Sequence, residues 1–241
     1  MFGKKKQVAR NAFGSVLILA FTAVPGAFAA DEKGWYLGAG YGQSKADIDK
    51  AETNRLLTVS GYTSPSTTAD ETDTGWKLFG GYQFTRNWAV EFAYVDLGKV
   101  TVNPRGTVTG VTDVYRGEGT AKGWSLAGVG TVMVSDSFGV FGKLGAFRWD
   151  LDTKCSLVTN ATGIGTCAGT TGPSAGPANR SASGTDLTYG VGLKYNLTKQ
   201  TSLRVEWEQF KDIGSKFNAT GTSGTSQADV NLISIGIQYK L

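Results

Sequence analysis

The sequence predicts an all-β fold, an eight-stranded antiparallel up-and-down transmembrane β-barrel preceded by a cleavable signal peptide. Three observations carry this prediction. Apolar and polar residues alternate along eight segments, and the connections between those segments are alternately short and long. The glycines and charged residues of these segments share one parity, which means that they occupy the alternate positions on the same strand face. Strands of about ten residues are long enough to cross a bilayer when they are tilted.

The eight predicted strands each have about ten residues. In the clearest of them, apolar residues occupy every second position from Leu187 to Leu197, with polar residues and glycines between them. Such alternation is typical of a strand with two unlike faces. The strands are predicted at Gly34–Ser44, Thr74–Phe84, Trp88–Gly98, Lys122–Val134, Phe138–Trp149, Leu187–Leu197, Ser202–Phe210 and Asn231–Leu241.

The connections between the predicted strands differ in length in a regular way. Short turns are predicted at 85–87, 135–137 and 198–200. Long polar segments rich in Gly, Ser and Thr are predicted as loops at 45–73, 99–121, 150–186 and 211–230. Short turns on one rim and long loops on the other are typical of an outer-membrane barrel whose short side faces the periplasm.

Residues 1–29 have the three parts of a secretory signal. A basic stretch with Lys4, Lys5, Lys6 and Arg10 precedes a short apolar core, and small residues precede an expected cut after Ala29. The domains are therefore predicted as a signal peptide at 1–29 and a barrel at 30–241. The formal net charge of +4 comes from this leader, because the remainder has 20 bases and 20 acids. We expect no nucleic-acid partner.

The chain contains no histidine. Ser-His-Asp and Cys-His nucleophilic sites and His-containing zinc sites are therefore excluded, and two cysteines cannot form a Cys₄ zinc site. Glu206 and Glu208 share one strand face, but they lie among bases and no cleft is indicated. We expect no enzymatic activity, no cofactor and no metal site.

The two cysteines, Cys155 and Cys167, flank a short Gly/Thr-rich segment. An even cysteine count in an exported chain favours a disulfide, here one that closes a local loop. Two free thiols are the alternative.

Two kinds of exported eight-stranded barrel alternate in this way: a secreted lipocalin-like calyx, with its apolar face inward, and a membrane barrel, with its apolar face outward. Small and charged residues share the polar parity, as the narrow interior of a membrane barrel requires. The charged residues predicted to face the lumen are Lys77, Glu91, Lys143, Lys194, Arg204 and Glu206. They form either a polar gate or a packed plug.

Tryptophans provide a further argument for the membrane barrel. Trp35, Trp76, Trp88 and Trp124 occupy strand starts on the apolar parity, where they would form an aromatic belt at each membrane interface. Trp149 has the lumen parity, and the alternation rule does not account for it.

Several segments resemble the OmpA-like transmembrane domain family, which includes the short OmpX-type barrels. The resembling segments are Trp88–Tyr94, Gly142–Ala146 with Trp149, Asp152–Lys154, Gly192–Thr198 and Leu203–Trp207. The last strand is similar to an outer-membrane assembly signal with Tyr239 third from the end, although Leu241 stands where phenylalanine is usual. Because the chain stops after this strand, we expect no periplasmic peptidoglycan-binding domain.

The resemblance also implies roles for lumen charges. Glu91 and Arg204 match a gating ion pair of the family. The family's second pair is not kept, since Lys194 stands where the family has an acid and Val129 where it has a lysine.

The expected protein is a monomeric structural barrel in the lipid bilayer of a bacterial outer membrane. Its long loops would be available for surface or host contact, and the resemblance implies adhesion as one use. The alternatives are a narrow ion-conducting pore gated by lumen charges and a secreted ligand-binding calyx.

Overall fold

Eight strands form a closed ring in the computed structural model, which describes residues 33–159, 178–215 and 227–241. A ninth strand and one helix lie at one end of this ring. The elements are β1 (Gly34–Asp47), α1 (Lys50–Val59), β2 (Thr63–Asp70), β3 (Thr72–Gln83), β4 (Trp88–Val108), β5 (Val111–Met133), β6 (Phe138–Thr159), β7 (Ala178–Asn196), β8 (Thr201–Ile213) and β9 (Ala228–Lys240).

All pairings between neighbouring strands are antiparallel. The ring runs β1-β3-β4-β5-β6-β7-β8-β9 and closes where β9 pairs with β1, Tyr41 lying opposite Ile235. The short strand β2 is outside the ring and pairs with the outer half of β4. The predicted eight-stranded up-and-down barrel is thus confirmed, with its three short turns between β3 and β4, β5 and β6, and β7 and β8.

The two faces of the sheet differ in chemistry as the strand alternation predicts. The outward face exposes large apolar side chains, including Leu144 (63% exposed) and Ile233 (60%). The inward face buries charged and aromatic side chains. Because such a large exposed apolar surface is unfavourable in water, the outward face is suited to lipid.

The four predicted belt tryptophans lie on the outward face, two near each end of the barrel. Trp35 packs edge-on against Tyr82, close to the short turn that precedes Trp88. At the opposite end, Trp76 and Trp124 both contact the ring of Tyr94, with centroids 5.5 and 4.9 Å away.

The predicted loops at 45–73, 99–121, 150–186 and 211–230 are wrong in detail, because each contains regular structure among its described residues. Strands β4 and β5 have 21 and 23 residues, about twice what a tilted strand needs to cross a bilayer. They meet at a two-residue turn, Thr109-Gly110, in which both residues have positive φ, as tight hairpins require. The outer part of the molecule is therefore a continuation of the barrel sheet, called the outer extension below (residues 45–73, 99–121, 150–159 and 178–186).

A β-bulge marks the point where the outer extension begins in β4. The register between β4 and β5 shifts between Asp96 and Lys99, and Gly98 has φ +74°. A Cβ atom at Gly98 would lie 2.5 Å from the carbonyl oxygen of Thr74, so both the dihedral and the space require glycine. The bulge reverses the strand parity, and Val100 faces inward as Leu97 does.

Helix α1 covers one side of the outer extension. The Asp49 carboxylate accepts a hydrogen bond of 2.9 Å from the Glu52 amide and caps the first turn, and Arg55 pairs with Glu52 one turn later. Within the described residues, no helix is long and apolar enough to cross a membrane.

A small second core holds the outer extension together. Tyr62 and Tyr115 pack edge-on, and the Tyr62 hydroxyl lies 2.8 Å from the Asp113 carboxylate and 2.7 Å from the Tyr115 hydroxyl. Burial, together with hydrogen bonds to Tyr115 and Asp113, raises the pKa of Tyr62 above its usual value. The Tyr62 phenol therefore remains protonated and uncharged at physiological pH.

The lipid-facing assignment of the outward surface is testable with two lysine substitutions on one strand. We expect Leu144→Lys in β6 to destabilise the barrel by about 2–4 kcal/mol, because it places a charge near the bilayer midplane. Val158→Lys is the matched control, since Val158 is equally exposed (62%) on the same strand but lies in the outer extension. Urea unfolding in lipid vesicles would measure both, and equal stabilities of the two variants would contradict the assignment.

Candidate functional site in the barrel interior

Six charged side chains meet in the middle of the barrel and form what we call the lumen network: Lys77, Glu91, Lys143, Arg204, Glu206 and Glu208. They come from β3, β4, β6 and β8, whose inward parity brings them together across the ring. Each of the six residues is 6% exposed or less. Three bases face three acids, so the cluster is formally neutral.

Lys143 contacts all three acids of the lumen network, as Glu206 contacts all three bases. Its Nζ atom lies 2.8 Å from Glu91, 2.9 Å from Glu206 and 2.7 Å from Glu208. Lys77 contacts the carboxylates of Glu206, at 2.6 Å, and Glu208. Every carboxylate of the network therefore contacts at least two bases, which offsets the cost of removing its charge from water.

Arg204 closes the network on the side of the short turns. Its guanidinium contacts Glu91 at 2.6 Å and Glu206 at 3.1 Å. It also lies over two aromatic rings, with the centroids of Phe79 and Phe141 at 4.5 and 4.4 Å. Cation–π contacts with both rings add to the ion pairs.

An apolar and aromatic layer closes the other side of the network. Phe147 and Phe210 pack edge-on, with centroids 4.7 Å apart. Trp149 is fully buried, and its indole Nε1 donates a 2.6 Å hydrogen bond to Asp186. The indole lies against Gly184, where a Cβ atom would approach to within 2.4 Å of the ring. Trp149 is thus a lumen filler, which explains its inward parity.

Five of the six sequence-predicted lumen charges lie in this network, and Lys194 does not. Lys194 is half-buried near the short turns, opposite Arg204 on the neighbouring strand, and makes no ion pair with any of the described residues. Lys194 forms no such pair because it lies closer to the short turns than the carboxylates do, and because its cross-strand neighbour, Arg204, is itself a base. Its inclusion in the charge network is corrected accordingly.

Sequence reasoning missed two members of the site. Glu208 has the inward parity and contacts both lysines, but it was not among the predicted lumen charges. Tyr36 donates a 3.1 Å hydrogen bond from its hydroxyl to Glu91. Both residues have the inward parity, which indicates the strand face but not the partner.

The strand register also shows which residue supplies a base in place of the lysine that the family has in its second ion pair. Val129, which stands where the resemblance implies a lysine, is the Cα partner of Lys143 on the adjacent strand. A lysine one strand away therefore provides a buried cation in the same region of the lumen.

Two predicted features lie wholly or partly outside the described residues. The predicted signal peptide occupies residues 1–29, and Cys167 belongs to the segment 160–177. Cys155 lies at the outer end of β6. The leader and the Cys155–Cys167 disulfide therefore remain predictions. In the described ranges, no group of three or more Cys, Asp or Glu side chains is placed to hold a metal ion.

A closed antiparallel ring with an apolar outer face, aromatic residues near both ends and an ion-paired interior defines a transmembrane β-barrel. The chain belongs to the OmpA-like transmembrane domain family, whose model matches residues 30–241. It is accordingly an outer-membrane protein, and the alternative of a secreted calyx is excluded.

Curated relatives agree with this family. Outer membrane protein A of Salmonella typhi is 22% identical over 236 residues, which cover 96% of this chain and 55% of that protein. Outer membrane protein A of Serratia marcescens is 25% identical over 231 residues, covering 96% of this chain and 56% of that protein. The chain thus spans about half the length of the curated relatives it matches.

Solved structures with similar folds include two small barrels. The attachment invasion locus protein Ail of Yersinia pestis is 19% identical with a TM-score of 0.47, over 87% of this chain and 99% of that one. Neisserial surface protein A is 12% identical with a TM-score of 0.44, over 86% of this chain and 97% of that one.

The lumen network predicts unequal effects of two lysine substitutions. Lys143→Met leaves three buried carboxylates with two bases, and we expect a loss of about 3–5 kcal/mol in the free energy of unfolding. The matched control is Lys194→Met, which removes a lumen lysine outside the network and should cost much less. Urea titration in lipid vesicles, followed by the separate gel mobilities of folded and unfolded barrel, measures both. Equal losses would show that the network has no special role in stability.

Proposed function

We propose that this protein is a structural barrel that anchors the outer extension at the cell surface, where the extension makes contacts with other surfaces. The barrel would act as a monomer, without enzymatic activity or a cofactor, and with its short turns in the periplasm. The observation that carries the proposal is the length of β4, β5 and β6, which have 21, 23 and 22 residues. About half of each strand is more than the bilayer requires.

The division of chemistry along these strands supports a contact role. In the membrane region, outward side chains are apolar and inward ones are packed, which leaves neither face available to a partner. In the outer extension, polar side chains such as Lys99, Arg116 and Glu118 are exposed or half-exposed and form ion pairs on the surface. Surface loops on a rigid barrel are a common place for recognition. Adhesion is therefore the use we favour.

A shortened β4–β5 hairpin tests the contact role. Val102 and Gly117 are Cα partners, so a two-residue Asn-Gly turn can join them and remove residues 103–116 while the membrane part of the barrel is kept. We expect bacteria producing this variant to adhere to epithelial cells no better than bacteria lacking the protein. Adhesion is measured by counting bound cells after washing.

The control for this experiment changes the opposite rim. A short hydrophilic epitope inserted between Ser135 and Asp136 alters the turn between β5 and β6 and leaves the outer extension unchanged. It should adhere as the unaltered protein does. Gel mobility before and after heating confirms that both variants fold. Full adhesion by the shortened variant would contradict a contact role for this hairpin.

A narrow ion-conducting pore is the second candidate, and one feature of the lumen network favours it. Glu91 contacts both Arg204 and Lys143, at 2.6 and 2.8 Å, so a side-chain rotation that breaks the contact with Arg204 would still leave the carboxylate paired with Lys143. In the arrangement described here, the ion pairs and the aromatic rings on either side fill the middle of the barrel.

Planar bilayer recordings distinguish the plug from the pore. Because the lumen network fills an interior that eight strands leave only just wide enough for side chains, we expect no conductance steps from the folded protein. Conductance steps that change with Glu91→Ala or Arg204→Ala would instead favour the gated pore. Lys194→Met, which leaves every ion pair of the network in place, is the control variant.

A further inference from the structure

The outer end of the barrel interior contains a cavity of about 540 Å³. Apolar side chains from the ends of the strands form most of its wall. They include Leu97, Val100, Ala121, Leu151, Ile213 and Val230. This volume lies within the range of pockets that hold small organic ligands, and a mostly apolar lining with a few polar groups is typical of such pockets.

Helix α1 supplies a further wall with a matching face. Thr53, Leu56, Leu57 and Ser60 line the cavity, and their spacing places them on one side of the helix. On the other side, Val59 is 70% exposed to solvent. The helix therefore turns its two leucines toward the cavity, although nothing inside the described structure fills the space in front of them.

The cavity ends inside the barrel and does not continue through it. Leu151 and Ala121 line its lower part and belong to the same apolar cluster as Phe147 and Trp149. The lumen network lies beyond that layer. A molecule that enters from the outer side would therefore be held there, since the aromatic layer and the ion pairs block further passage.

The charges on the cavity wall favour a neutral occupant. Of the bases that line it, Lys99 and Lys154 are exposed to solvent and Arg180 is half-exposed. The two acids that line it are Glu71, paired with Lys50 at 2.6 Å, and Glu118, paired with Arg116 at 3.0 Å and with Lys99 at 3.7 Å. Because these carboxylates already have cationic partners, the remaining surface offers mainly apolar contact. We infer that the cavity binds one small, neutral hydrophobic molecule, such as a medium-chain alcohol or a compact aromatic compound.

The space beside this wall supports the inference. Leu97, Ala121, Leu151, Ile213 and Val230 are buried and pack in one apolar cluster, and the cavity beside them is filled by none of the described residues. An apolar cavity of this size is typical of a binding site. This inference does not depend on the proposed contact function.

Photolabelling of the full-length protein in lipid nanodiscs tests the inference. The probe is a medium-chain alcohol that carries a diazirine group, which loses nitrogen on illumination and leaves a carbene that inserts into nearby bonds. We expect labelled peptides that contain Leu97, Ala121 or Leu151, and we expect an excess of decanol to suppress that labelling. Labelling of lipid-facing Leu126 by probe dissolved in the bilayer serves as the internal reference.

Two pairs of variants keep the test decisive. Ala121→Phe fills the cavity and should abolish lumen labelling, whereas Ala146→Phe adds the same ring to the lipid face of the neighbouring strand and should not. If Ala121→Phe fails to fold, Leu56→Gln makes the α1 wall polar and should weaken labelling several-fold. Val59→Gln is its control on the same helix.

The inference is overturned by either of two results. Absence of lumen labelling in the unaltered protein would show that the cavity takes no such molecule, for example because another segment of the chain occupies it. Equal lumen labelling of Ala121→Phe and Ala146→Phe would show that the probe lies elsewhere.

Discussion

The ion pairs of the lumen network are the interaction on which the rest of the barrel depends. A ring of eight strands leaves room inside only for side chains, so the inward residues must fit one another in both volume and charge. Here three bases and three acids from β3, β4, β6 and β8 balance in a buried cluster. Because each carboxylate contacts two or more bases, no single member can be lost without leaving buried charge uncompensated. The network therefore links strands that are not neighbours in the sheet.

The bilayer imposes the complementary constraint on the same strands. A shift of one residue in the register of any strand would turn its apolar side chains inward and its charges outward. For β6, such a shift would exchange Leu144 with Lys143, which would move a charge into lipid and remove the central base of the lumen network. The lipid face and the network thus select the same register, and an error in one is also an error in the other.

This double constraint explains what could be predicted from the sequence. Where both faces of a strand are specified, as from Leu187 to Leu197, the alternation is unbroken and the strand was predicted, although it begins at Ala178 rather than at Leu187. Parity also located Glu91, Lys143 and Arg204 in the lumen, although it could not identify partners. Lys194 has the same parity as those residues and still lies outside the network, because parity gives the face and not the height along the barrel axis. The hydroxyl of Tyr36 was missed for the same reason.

The outer extension could not be predicted because it lies beyond the lipid, where one of the two constraints is absent. Outward positions there tolerate polar residues, and the bulge at Gly98 exchanges the parity of β4, so the alternation that marks a strand is interrupted. The same bulge directs Val100 and Val102 toward the interior beside Leu97. Gly98, whose bulge interrupts the alternation in β4, thus also helps to form the apolar cavity at the mouth of the barrel. Packing of Leu97, Ala121 and Leu151 in the inner apolar cluster explains why the wall is apolar, whereas the space of about 540 Å³ beside it is the feature from which we infer a ligand.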